Sequence, residues 1–180
     1  MNMKEPRDFG FDEQCAQLKQ AARRFFQNKV PIQALHKLVA GEPDPFRAPV
    51  ARWDKVLWQE MVDLGWHTVA VPELAGGMDM PLVAGVALIE EAGRVALPSP
   101  LLTILQCSYV LKACNTPAAN ALLEAVVLGS AVTLAVLDQR GTHHSNEVTA
   151  RKTDNGYVLE GVAYFVQDAA KADFFIVRAG

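Results

Sequence analysis

The stretch Thr133-Leu-Ala-Val-Leu137 decides how this sequence divides into structural parts. Before Gly129, apolar residues recur at spacings of three and four, which is typical of amphipathic helices. In the quoted stretch the residues are β-rich and almost wholly apolar, which predicts a strand buried on both faces. We therefore expect a helical part over residues 1–129 and a β part over residues 130–180, with the boundary near Gly129.

A predicted hairpin is the strongest local signal of the β part. Residues 148–152 and 157–161 are expected to be strands on either side of Asp154-Asn-Gly156, because Asn-Gly tolerates the positive φ angles of a tight turn. A last strand is expected from Phe174 to Val177, shortly before the sequence ends at Gly180. Antiparallel strands without a closing partner would leave an exposed edge, so we expect this β part to be incomplete.

Amphipathic periodicity predicts five helices in the first part. They begin near Phe11, after a proline-rich loop at 41–49, near Pro81, at Leu101 and at Pro117. Gly65 suits a left-handed C-terminal cap of the second helix, and Thr116 suits the N-cap of the fifth. Between the second and third helices, the apolar residues 66–72 predict an extended segment, followed by a turn at Gly76-Gly77.

The composition argues against several classes of protein. The formal net charge of −3 and the lack of clustered cations disfavour a nucleic-acid-binding protein. No apolar run approaches the roughly 20 residues that span a bilayer, and residues 1–8 lack the pattern of a targeting peptide, so we expect a cytoplasmic protein. Cys15, Cys107 and Cys114 lie in apolar helical patterns and are expected to be buried free thiols.

Pairs of polar residues offer little local chemistry. His143 and His144 are adjacent, and neighbours on an extended chain point apart, so no metal site is expected there. Glu90 and Glu91 are neighbours on a helix and do not face each other; with Arg94 they are expected to form a solvated face. The sequence has neither a glycine-rich phosphate loop nor a nucleophile elbow.

Two ordered sets of motifs resemble the acyl-CoA dehydrogenase family. The first set is similar to the family's helical domain and consists of Leu64-Gly-Trp-His-Thr-Val-Ala-Val-Pro-Glu73, Gly76-Gly77 and Ile89-Glu-Glu-Ala-Gly93. The second set is similar to the start of its middle β domain and consists of Leu134-Ala-Val-Leu-Asp138, Asp154-Asn-Gly-Tyr-Val-Leu-Glu-Gly161, Phe165-Val-Gln-Asp168 and Ala172-Asp173. These motifs follow one another in the family's order over most of the chain.

The resemblance implies an α+β fold, with an N-terminal all-α helical domain followed by part of an antiparallel, barrel-like β domain. It also implies FAD-dependent α,β-dehydrogenation of an acyl-CoA, in which a glutamate removes the α-proton and FAD accepts the β-hydrogen as hydride. In the family that glutamate belongs to a C-terminal helical domain beyond the match, so no catalytic residue is assigned here. Electrons would pass to an electron-transfer flavoprotein or a similar acceptor, and a homo- or hetero-oligomer is expected.

The resemblance also assigns candidate site residues. Those expected to contact FAD are Leu134, Val136 and Leu137 on the first strand, Phe165 in place of the family's aromatic residue, and Gln167 at its hydroxyl position. The acyl pocket would lie between the helix at 101–111 and the β part. Its expected substrate contacts are Leu102, Thr103 and Asp138.

Departures from the family pattern keep other functions open. The family's T-E-P-G-A-G-S-D run reads Leu137-Asp-Gln-Arg-Gly-Thr-His-His144 here. Leu137 has no hydroxyl, and a lost hydrogen bond typically costs about 1 kcal/mol. One alternative is therefore a non-catalytic acyl-CoA dehydrogenase-like subunit that stabilises an active partner, and another is a helical interaction domain without a ligand. Core packing alone would also account for Leu134, Val136 and Phe165.

Overall fold

A computed structural model describes residues 10–33, 36, 53–143 and 147–180. The described part contains five α-helices, which are α1 Glu13–Lys29, α2 Lys55–Asp63, α3 Leu82–Arg94, α4 Leu101–Cys114 and α5 Pro117–Val127. Four strands follow them, β1 Val132–Ala135, β2 Val148–Thr153, β3 Gly156–Gly161 and β4 Phe174–Val177. The α+β class is therefore confirmed. The proline-rich segment 41–49 and His144 lie outside the described residues.

The helix ends follow from side chains that satisfy backbone groups. Asp12, Asp54 and Thr116 each accept a hydrogen bond from a backbone N–H in the first turn of α1, α2 and α5. After α2, Gly65 has the left-handed φ of +75°, as its sequence position predicts. In the part of the chain that the structure describes, no helix is long and apolar enough to cross a membrane.

The prediction of an extended segment at 66–72 is wrong. Trp66–Thr68 forms a 3₁₀ turn, and the run from Trp66 to Val71 is buried. Its backbone is paired with the residues that follow Gly77, since Met78 N donates to Thr68 O and Met80 N donates to Val69 O. A short apolar run indicates burial, but its periodicity does not distinguish a strand from a buried turn.

The prediction that Glu91 lies on a solvated helix face is also wrong, because this carboxylate is buried. It is 1% exposed and pairs with Arg23 of α1, at 2.8 Å from Oε1 to Nη2 and 3.0 Å from Oε2 to Nε. The guanidinium of Arg23 holds the pKa of Glu91 below its ordinary value. Glu91 lies three residues after Leu88 and seven after Ala84, on the buried stripe of α3 that packs against α1. Glu90, its neighbour, is exposed and pairs with Lys19 and Arg94.

One of the three cysteines also departs from its prediction. Cys15 and Cys107 are buried in the helical core, as expected. Cys114 is exposed, because it is the last residue of α4, where Asn115 turns the chain with a left-handed φ of 45°. Burial raises the pKa of Cys107 to about 12, so that thiol stays protonated.

The strands form two pairs of different direction. β2 and β3 make the predicted antiparallel hairpin, although the register pairs Thr153 with Gly156 and so places the turn one residue earlier, at Asp154-Asn155. β1 and β4, in contrast, are parallel, so this part of the sheet does not follow the antiparallel expectation. Val132 of β1 belongs to the helical core, and Leu134 and Ile176 pack against it. The β part is thereby anchored on the helices.

Candidate functional site

Two adjoining pockets lie along α3 and α4. The one near the β part, here called the junction pocket, has a volume of about 170 Å³ and is lined by Ile89, Ala92, Gly93, Ala96, Leu97, Ser99, Leu102 and Gln167. The other, here called the helical groove, has a volume of about 430 Å³ and is lined by Leu82, Gly85, Val86, Ile89, Glu90, Leu102, Leu105, Gln106 and Tyr109. Ile89 and Leu102 line both, so the two cavities meet at these side chains.

Gln167 reaches the junction pocket because the segment that carries it is tied to β1. The buried hydroxyl of Thr133 donates to Gln167 O at 2.7 Å, and the carboxylate of Asp173 accepts from Ala131 N at 2.8 Å. Phe165 and Asp168, on either side of Gln167, have φ angles of 53° and 54°. Such left-handed conformations are costly for residues other than glycine and are often found at functional sites.

Phe165 is 70% exposed. It stands near Gly141, where an added Cβ would be 3.8 Å from Phe165 Cε2. Tyr164, the residue before Phe165, pairs with Leu137, since Tyr164 N donates to Leu137 O at 3.0 Å. Leu137, Phe165 and the 138–142 loop therefore lie together.

The residues predicted to contact FAD differ in their exposure. Leu134, Val136 and Leu137 are half-buried, and Leu134 also packs against the helical core. Only Leu134 lies on β1, because the strand ends at Ala135 and the other two follow it. Phe165 and Gln167 are exposed. An accessible aromatic ring and, two residues along the chain, an amide that can donate and accept fit a planar heteroaromatic ring such as a flavin. The Leu137 side chain has no polar atom, so it offers a flavin ring only a packing contact.

The three predicted substrate contacts are not brought together. Leu102 lines both pockets, but Thr103 and Asp138 line neither. The buried Thr103 hydroxyl donates to Pro100 O at 2.8 Å, at the start of α4. The Asp138 carboxylate accepts from Arg140 N, Thr142 N and Thr142 Oγ1, at 2.9, 2.9 and 2.6 Å. Asp138 thus closes its own loop.

Sequence reasoning missed two residues that shape the pockets. Ile89 separates the junction pocket from the helical groove together with Leu102, and Tyr109 lines the groove one turn after Leu105. Burial raises the pKa of Tyr109. Apolar and aromatic residues on strongly apolar helices such as α3 and α4 are typical of a core, so periodicity does not single them out.

The comparisons with known proteins agree on one family. The sequence model of the acyl-CoA dehydrogenase N-terminal domain matches residues 12–127. Acyl-CoA dehydrogenase IpdE2 of Mycobacterium tuberculosis is 34% identical over 100 residues, which are 53% of this chain and 31% of that protein.

Two solved structures have a similar fold. A variant of the Tcur3481-Tcur3483 steroid acyl-CoA dehydrogenase superposes with a TM-score of 0.77 at 29% identity, covering 93% of this chain and 45% of its own. The ChsE4-ChsE5 complex from Mycobacterium tuberculosis superposes with a TM-score of 0.76 at 24% identity, covering 96% and 45%, which supports the fold alone. The chain thus spans less than half the length of these relatives.

Proposed function

The chain belongs to the acyl-CoA dehydrogenase family, and on that premise we propose that it forms part of an FAD-dependent oxidoreductase that dehydrogenates an acyl-CoA between its α and β carbons. It would act as the N-terminal part of the enzyme or as a split subunit. Residues 1–129 would be the helical domain and residues 130–180 the beginning of the middle β domain. The observation that carries the proposal is the junction pocket, where Leu102 of the helical part meets Gln167 of the β part.

The residues of this chain would supply one wall of the site. FAD, when bound, would accept the hydride that leaves the β carbon. Phe165 would lie against its ring, Gln167 would hydrogen-bond to its polar edge, and Leu134, Val136 and Leu137 would exclude water behind it. Leu102 would hold the start of the acyl group, and the hydrogen bonds of Thr103 and Asp138 would position α4 and the 138–142 loop. The fixed geometry of such a wall is what aligns the reacting carbons.

The base for the α-proton would come from elsewhere. Of the described residues that line the two pockets, Glu90 is the only carboxylate, and it already pairs with Lys19 and Arg94. Its neighbour Glu91 lines neither pocket and pairs with Arg23. These cations lower the pKa of both glutamates, which makes each a weaker base. A further helical domain, on the same or a second polypeptide, would supply the catalytic glutamate.

The volume of the helical groove and the names of the similar proteins indicate which acyl group and which assembly to propose. The helical groove lies within the range of roughly 300–1,000 Å³ that small-molecule pockets occupy, which suits a bulky acyl group. The Tcur3481-Tcur3483 relative is named as a steroid enzyme and its name joins two proteins, so we propose a steroid-like acyl-CoA as substrate and a hetero-oligomer as the assembly. An electron-transfer flavoprotein or similar acceptor would reoxidise the flavin in the cytoplasm.

A non-catalytic subunit is the second candidate, and one observation favours it. The Asp138 carboxylate accepts hydrogen bonds from residues of its own loop, and Leu137 carries no hydroxyl. A chain that has lost polar contacts to flavin could still stabilise an active partner through its helical domain.

Flavin absorbance separates the two candidates. The absorbance spectrum of the purified chain is recorded alone and in a mixture with a candidate helical partner. An enzyme would be yellow in the mixture, and its flavin absorbance would bleach on addition of an acyl-CoA. Gln167→Ala should lower flavin occupancy, since the exposed amide two residues after Phe165 is lost. Gln14→Ala, an exposed glutamine on α1, is the matched control and should leave it unchanged. Colourless protein under both conditions would reject the enzyme for this chain and favour the subunit.

A further inference from the structure

The hydroxyl of Tyr109 is a buried polar group without a hydrogen-bond partner in the part of the chain that the structure describes. Tyr109 lies on α4, and its hydroxyl rests over Gly85 of α3, where an added Cβ would be 3.3 Å from the oxygen. Gly85 and Tyr109 both line the helical groove, and the buried hydroxyl lies beneath its floor, where α3 packs on α4. A buried hydroxyl left unpaired costs roughly 1–3 kcal/mol, which a ligand oxygen would recover when the Tyr109 ring turns toward the groove.

The rest of the groove is almost wholly apolar. Leu82 and Val86 of α3 are 63% and 57% exposed, and Leu105 closes the side formed by α4. The Glu90 carboxylate at the edge is already paired with Lys19 and Arg94. Gln106 is exposed at the rim, where water competes for its amide. A ligand that fits this surface has an apolar body and one oxygen placed to meet Tyr109.

The groove is also continuous with the proposed reaction site. It meets the junction pocket at Ile89 and Leu102, and the junction pocket ends at Gln167. An acyl group whose thioester lies near Gln167 would extend past Leu102 toward Tyr109, which lies seven residues, about two helical turns, farther along α4. The occupant of the groove is therefore the distal part of the acyl group.

We propose that Tyr109 determines substrate specificity by hydrogen-bonding a carbonyl or hydroxyl oxygen on the distal part of a bulky apolar acyl group, an inference that rests on the acyl-CoA function proposed above. Acyl groups of similar shape without that oxygen would leave the hydroxyl unpaired and would bind more weakly. Tyr109 does not touch the reacting carbons and is not a catalytic residue.

Two small probes of nearly the same shape test this inference on the isolated chain. 1-Tetralone carries a ketone, whereas tetralin is the corresponding hydrocarbon, and the Kd of each is measured by NMR titration of the ¹⁵N-labelled chain. The wild-type chain should bind 1-tetralone more tightly, with shifts at amides of α3 and α4. Tyr109→Phe should raise the Kd for 1-tetralone by about 3- to 10-fold and change the Kd for tetralin by less than about twofold.

Two further variants control for the fold and for the site. Tyr157→Phe, on the exposed β3, should leave both affinities unchanged. Val86→Trp should fill the groove and abolish binding of both probes, and because Val86 is largely exposed the chain should still fold, which circular dichroism checks. Equal weakening of both probes by Tyr109→Phe, or no change in either, would overturn the assignment. So would a lack of binding to the wild-type chain.

The binding test needs neither flavin nor a partner, so its outcome is separable from the proposed function. A ketone preference that depends on Tyr109 in a chain that never binds flavin would preserve the oxygen-binding site and reject the enzyme. A yellow, reducible complex whose groove shows no such preference would preserve the enzyme and reject the role of Tyr109.

Discussion

At the scale of single residues, the buried carboxylate of Glu91 joins two helices through a bidentate pair with Arg23. We expect Glu91→Gln to lower the free energy of unfolding by about 1–2 kcal/mol, because the charge-assisted bonds to a half-exposed guanidinium are lost while the shape is kept. Glu90→Gln, at an exposed pair that water and salt screen, should cost less. Urea denaturation at pH 7 measures both, and equal costs would contradict a special role for Glu91.

Glu91 also predicts an acid dependence. Its pKa is lowered in the folded state, so the unfolded chain takes up a proton first as the pH falls. The stability that this pair contributes is present above the ordinary pKa of about 4.5 and is lost as the pH falls through the lower, folded value. The cost of Glu91→Gln, measured at pH 7 and again near pH 3, should therefore shrink at the lower pH.

His67 should make stability depend on pH in a higher window. The ring is 2% exposed, Nε2 lies 3.1 Å from Val127 O, and Nδ1 is buried without a partner among the described residues. Burial lowers the pKa of His67 below 6.5. The unfolded chain therefore binds the proton more readily, and stability is full above pH 6.5 and declines as the pH falls from there to the folded pKa.

His67→Gln tests that window, because a glutamine amide can still donate to Val127 O and has no charge to gain. The free energy of unfolding of the wild-type chain should fall more between pH 7.5 and 5.5 than that of the variant. His143→Gln, at an exposed histidine, should behave like the wild type. Parallel pH profiles for the wild type and His67→Gln would show that His67 titrates normally.

At the scale of elements, the predicted turn at Gly76-Gly77 depends on close approach of the backbone. A Cβ at Gly77 would lie 2.2 Å from Val71 O, whereas one at Gly93 on α3 would meet nothing within 4 Å. We expect Gly77→Ala to destabilise the chain by about 2–4 kcal/mol, and Gly93→Ala to stabilise it by about 0.5–1 kcal/mol through better helix propensity. The midpoint temperature of thermal unfolding should fall for Gly77→Ala and rise for Gly93→Ala.

Local rules account for much of what the sequence predicts at this scale. Capping residues such as Thr116 and Gly65, and the turn residues of the hairpin, act on neighbours in the chain, so their effects are visible in sequence. The turn at Trp66, the burial of Glu91 and the parallel pairing of β1 with β4 depend on distant partners. The same limit applies to the proposed site, where Leu102 and Gln167 are predicted from the family resemblance but Tyr109 requires the packing of α3 on α4.

At the scale of the whole molecule, the helical part and the hairpin differ in how much apolar surface they bury. Leu88 of α3 is fully buried in the helical core. In the hairpin, Leu159 faces the same side as its partner Ala150, and Tyr157 lies next to it on that side, yet the two side chains are 50% and 67% exposed. A two-stranded hairpin without a covered face is at best marginally stable in water.

This difference predicts two levels of stability within one chain. Leu88→Ala should cost about 2–5 kcal/mol, since it leaves a cavity in the core, whereas Leu159→Ala should change the free energy of unfolding by less than about 0.5 kcal/mol. In hydrogen exchange, amides of β2 and β3 should exchange by local opening, orders of magnitude faster than those of α4. A candidate partner that covers the apolar side of the hairpin should slow exchange there and make Leu159→Ala costly for binding. If the hairpin amides of the isolated chain are protected as strongly as those of α4, the hairpin is stabilised by the helical part rather than by a partner.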